Sequence, residues 1–172
     1  MKGAAVTADR ASELLARLRD TLGRALAPHG FESAGATKWV DGHGIDDWTR
    51  DVGWKRDVVG LFYRGPSPID VAARVHVVIP VDRDVVIDAT TASFLAGHGE
   101  VYDLPRGLFR GVKESRLIET IVRDSVQALS WFDPYATPEK CLARLEQEDR
   151  NGPRKDSPAH GRVVDRLRGL PR

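Results

Sequence analysis

Asp41, His43, Asp46 and Asp47 lie close enough in the chain to offer a divalent cation three or four ligands. The spacing lacks the alternating acidic or amide positions and the closing glutamate of a calcium loop. The stretch therefore reads as a solvated turn, and no metal is assigned. His98 sits in the run Gly97-His98-Gly99-Glu100, a glycine-rich loop, and His76 falls on the water-facing side of a strand beside Arg74. A general base needs a partner within hydrogen-bond reach, and neither histidine has one that the sequence identifies. Cys141 stands next to Leu142 on a helix. It reads as a small buried hydrophobe, because a reactive thiolate needs electropositive surroundings and access. No catalytic residue is assigned.

The candidate binding residues are Trp48, Arg50 and Trp54. At strand spacing they share a face, and a guanidinium between two indoles can stack on either ring. Exposed, that face suits a protein partner or an anionic ligand. Buried, the two indoles belong to the core and Arg50 extends its head to water. No phosphate loop, dinucleotide fingerprint, nucleophile elbow or zinc-protease helix accompanies them, and no cofactor is expected.

These residues need a scaffold, and the chain is long enough to build one. Its 172 residues suit one α+β domain over 1–149, followed by a tail over 150–172. With 41% apolar and 30% charged residues the balance is globular. One cysteine excludes an internal disulfide and any multi-cysteine zinc site. No apolar run has the length of a membrane span, and the N-terminus has no apolar signal core, so a cytoplasmic, bacterial-type protein is expected. Net charge is +1. The tail carries +5 of it, which leaves a mildly acidic body of −4. Such a body makes a poor nucleic-acid surface. The tail reads as mobile and solvated, with a salt-dependent nucleic-acid contact as the alternative. Residues 162–170 could form a short amphipathic helix within it.

The sheet is organised around residues 57–87. From Ile69 to Ile79 every odd position is apolar, while Asp70, Arg74 and His76 take even ones. A period of two turns one face to the core and the other to water. Residues 31–40, 47–54, 58–63 and 85–87 complete a mainly antiparallel sheet of about five strands, since the links between them are short. Residues 88–112 read as a packed irregular segment with room for one short strand or helix. A helix beginning at Thr7 or Asp9 runs to Ala27 with a leucine stripe, and Pro28 and Gly30 end it. Two more helices cover 113–129 and 137–149, the last with Thr137 as cap and Pro138 in its first turn.

The run Leu26-Ala27-Pro28-His29-Gly30-Phe31 resembles the opening "L-x-P-x-G-F" of the family called domain of unknown function 4304. The run Trp131-Phe132-Asp133-Pro134-Tyr135-Ala136-Thr137-Pro138-Glu139 is similar to the aromatic step before that family's closing helix. The resemblance spans roughly 14–145 and implies an α+β fold, with no established activity and no catalytic residues. Together these observations lead to a non-enzymatic binding or interaction module, such as a regulatory or toxin-neutralising partner. A small enzyme with a scattered site beside the sheet is the alternative. Another protein is the expected partner. Nucleic acid and membrane are not expected.

Overall fold

A computed structural model of the chain describes residues 2–64, 70–80, 85–90, 102–103, 110–151 and 158–170. The first helix, α1 (Lys2–Leu26), begins earlier than Thr7. Ala4 and Ala5 are strong helix formers and extend it toward the N-terminus. Leu14, Leu15, Leu18, Leu22 and Leu26 form its buried stripe. A 3-10 turn over Ala27–His29 ends it, and Gly30, at φ 80°, takes the left-handed position that favours glycine.

The next segment divides in two. Strands β1 (Glu32–Ser33) and β2 (Lys38–Val40) both pair antiparallel with β3 (His43–Asp51), and residues 34–37 bow out between them. A continuous strand over 31–40 was the expectation. Instead Gly35 adopts φ 104°, and the Ala34 amide donates to the Asp47 carbonyl. The turn into β3 is confined to Asp41 and Gly42, at φ 50° and 76°. Aspartate-glycine is the pair that a two-residue hairpin with two positive φ values selects. His43 and Gly44 therefore enter the strand.

Strands β4 (Arg56–Arg64), β5 (Asp70–Ile79) and β6 (Val85–Thr90) continue the antiparallel sheet, and β7 (Tyr102–Asp103) pairs with the start of β5. The five-strand path is β1-β3-β4-β5-β6. The segment expected to be irregular thus holds the end of β6, β7 and the start of the next helix. His98 and residues 65–69 and 81–84 lie outside the described residues.

Register decides which side chains share a face. Gly44, Asp46, Trp48 and Arg50 of β3 align with Tyr63, Leu61, Val59 and Asp57 of β4, and these with Val71, Ala73, Val75 and Val77 of β5. Helices cover this face: α1, α2 (Arg110–Gln127), α3 (Pro138–Asn151) and α4 (Pro158–Arg168). They contribute Ile118, Ile121, Cys141, Leu145, Val163 and Leu167 to one core with the strands. Buried Glu114 of α2 accepts from Arg10 of α1 at 3.1 Å, and Tyr102 of β7 donates to Asp124 of α2 at 3.0 Å. The 3-10 segment Ala128–Tyr135 follows α2 and buries Phe132 and Tyr135. Thr137 then caps α3 as expected, its hydroxyl accepting from the Lys140 amide at 3.3 Å.

The mobile tail is corrected in part. Val163 and Leu167 of α4 are 1% and 4% exposed, so this stretch of the basic segment is a docked helix. Its apolar positions recur at four-residue steps, and burying them outweighs the charge on its outer side.

Candidate functional site

Two polar clusters interrupt the covered face, one on each side of Trp48. The first is built on Asp46. Its buried carboxylate accepts from Arg19 Nε at 2.5 Å, Thr37 Oγ1 at 2.6 Å and Tyr63 Oη at 3.0 Å. Arg19 also donates to the Tyr63 hydroxyl and places its guanidinium 5.6 Å from the Tyr63 ring centre. Burial and the adjacent Asp46 charge push the Tyr63 phenol above its ordinary range. Burial alone would lower Arg19, but the hydrogen bond and charge of Asp46 reverse this and leave it raised. The result is a fully engaged lock between α1 and the sheet. Gly44 makes it possible, because a Cβ there would stand 2.3 Å from the Tyr63 ring. Trp39, 55% exposed, lies edge-to-face with that ring, 6.0 Å between the ring centres.

The second cluster is built on Asp57, which is 1% exposed. Arg50 donates to its Oδ2 from Nη2 at 2.7 Å and from Nε at 3.2 Å, while Lys55 donates to Oδ1. A third Arg50 donor, Nη1, reaches the His29 carbonyl at 3.1 Å. Aromatic rings hold both cations in place. The Arg50 guanidinium lies 4.7 Å from the Phe31 ring centre, and the Lys55 ammonium 5.7 Å from the rings of both Trp54 and Phe132. Lys55 is 3% exposed, and one of its three N–H groups is spent on Asp57. Among the described residues no other acceptor reaches the remaining two.

This cluster forms the floor of a cleft of about 380 Å³ between the β3–β4 turn and the 3-10 segment. Val52, Leu129 and Phe132 supply apolar wall, and Ser130 and Asp133 supply polar wall. The turn is shaped by Gly53 at φ 84° and by the Val52 amide donating to the Lys55 carbonyl at 3.1 Å. A concavity of this size with two cations in its lining can receive a small anion.

The candidate binding residues separate. Trp48 is 4% exposed and belongs to the core, with its indole nitrogen against Gly23, so it offers no surface. Trp54 does not share the strand face. It lies past the end of β3 in the turn, where it packs on Lys55. Arg50 alone opens on the cleft. Lys55, Asp57 and Phe132 complete that site and were missed. The signal was present as Arg50, Lys55 and Asp57 within eight positions, but pairing across a tight turn is needed to bring them together.

The Asp41–Asp47 set does not converge. Asp46 faces α1, whereas Asp47 points to the opposite face and pairs with Lys38 at 3.2 Å. Among the described residues no group of three or more His, Cys, Asp or Glu could hold a metal ion. His76 lies half-buried on the face opposite the helices, near the Asp47 carboxylate around Gly60. Cys141 is buried in the core. Among the described residues no helix is long and apolar enough to cross a membrane.

No family model matches the chain, and no curated protein or solved structure matches it.

Proposed function

We propose that this chain is a binding module whose cleft over Asp57 receives an anion. The observation that supports it most is the ratio of charges there: two cations, Arg50 and Lys55, share one buried carboxylate. Their positions are fixed by rings and by the His29 carbonyl, so little rearrangement would accompany binding. The two segments that resemble domain of unknown function 4304 meet at this place. Phe31 from the first packs on Phe132 from the second at 5.9 Å, beside the cleft.

The test is thermal unfolding in acetate, sulfate and phosphate at constant ionic strength. A ligand that binds only the folded state raises Tm with concentration. At least one of these anions should do so in the native chain and in an Arg24→Met control, and should fail to do so in Arg50→Met. A Tm insensitive to all three, or a response that survives Arg50→Met, would remove the proposal.

A further inference from the structure

The polar and apolar walls of the cleft narrow the class of anion. Resting on the anion-binding role proposed above, we infer that the ligand is a small monocarboxylate with an apolar body. Its charge follows from what the cleft holds. Arg50 and Lys55 against Asp57 leave one positive charge uncompensated. Asp133, exposed on the same wall, adds a negative charge nearer the opening. A monoanion seated on Arg50 and Lys55 balances the floor, and with Asp133 counted the lining as a whole is already neutral, which leaves nothing for a second negative charge. A dianion, such as a phosphate monoester near neutral pH, would set its second charge against Asp57 and Asp133 with no cation left to meet it.

The head group follows from the donors that remain. Asp57 takes Nε and one N–H of Nη2, and the His29 carbonyl takes one N–H of Nη1. One N–H is left on each terminal nitrogen of Arg50, in the plane of the guanidinium. Two in-plane donors match the two oxygens of a carboxylate. The ammonium of Lys55 adds charge from below. The body follows from the walls. Val52 is 41% exposed, and half-buried Leu129 continues the apolar surface above the buried Phe132 ring. The volume of about 380 Å³ lies toward the small end of ligand clefts, so a single ring or a branched chain fits better than an extended molecule.

Calorimetric titration of the full chain with phenylacetate, acetate and inorganic phosphate at fixed ionic strength tests this. Phenylacetate should bind at least about tenfold more tightly than acetate, since each buried methylene is worth roughly fourfold. It should also exceed phosphate. Val52→Ser, in an exposed turn, should weaken phenylacetate several-fold, and Arg50→Met should abolish its binding. Phosphate binding as tightly as phenylacetate would overturn the carboxylate class while leaving an anion cleft. Phenylacetate binding that persists in Arg50→Met would place the acid elsewhere and overturn the inference. No binding of any of the three would overturn the cleft itself.

Discussion

Lys55 and Asp57 form an ion pair whose side chains are 2% and 1% exposed, and Arg50 holds the other oxygen of the same carboxylate. Removing the shared partner strands two cations at once, one of them buried. Asp57→Asn should therefore cost about 3–5 kcal/mol. Lys55→Met leaves Asp57 bound by two N–H groups of Arg50 and should cost less than half as much. Urea unfolding measures both, and equal costs would mean that Arg50 carries no share of the carboxylate.

The Tyr63 ring occupies the space that a side chain at position 44 would need. Gly44→Ala should destabilise the fold by about 1–3 kcal/mol through overpacking. Gly44→Ala combined with Tyr63→Leu should recover part of that loss. If the alanine variant melts with the native chain, the close approach of ring and strand is wrong.

The phenol of Tyr63 is raised above its ordinary pKa of about 10 by burial and by Asp46. The folded state thus favours the neutral form. Its contribution to stability is complete below about pH 10 and is lost as pH rises toward the higher folded value. Absorbance titration of tyrosinate should show a late-ionising component that Tyr63→Phe reduces. Loss of an early step instead would contradict the environment described.

Leu18 and Leu167 test the two ends of the core. They are 1% and 4% exposed. Leu18→Asp should abolish folding, since an unpaired charge cannot be accommodated there. Leu167→Ala should cost about 2–5 kcal/mol, whereas a solvated tail would register no change. Denaturant curves for each variant decide the matter.

Much of the scaffold was legible because its signals are local and periodic. The leucine stripe of α1, the alternation in β5 and the Thr137-Pro138 helix start each follow from neighbours in sequence. Long-range pairing was not legible. Residues 162–170 offer an amphipathic pattern inside a charged tail, but the surface that buries Val163 and Leu167 exists only in the fold. Trp48, Arg50 and Trp54 looked like one face because a strand was extended through Gly53, whose positive φ turns the chain. The cleft depends on Phe132 arriving from the far end of the sequence, and no local pattern announces that meeting.

The bowed residues 34–37 have a consequence for the chain in a crowded solution. A flat outer strand offers its backbone groups to any other extended chain, and fibres begin that way. Here the outer strand is cut to two and three residues, and the Ala34 amide at the break is already spent on Asp47. Along this edge, among the described residues, a second molecule finds no continuous row to copy. The irregularity beside the hairpin is thus a guard against self-assembly, set on the side of the sheet that residues 34–37 leave outermost.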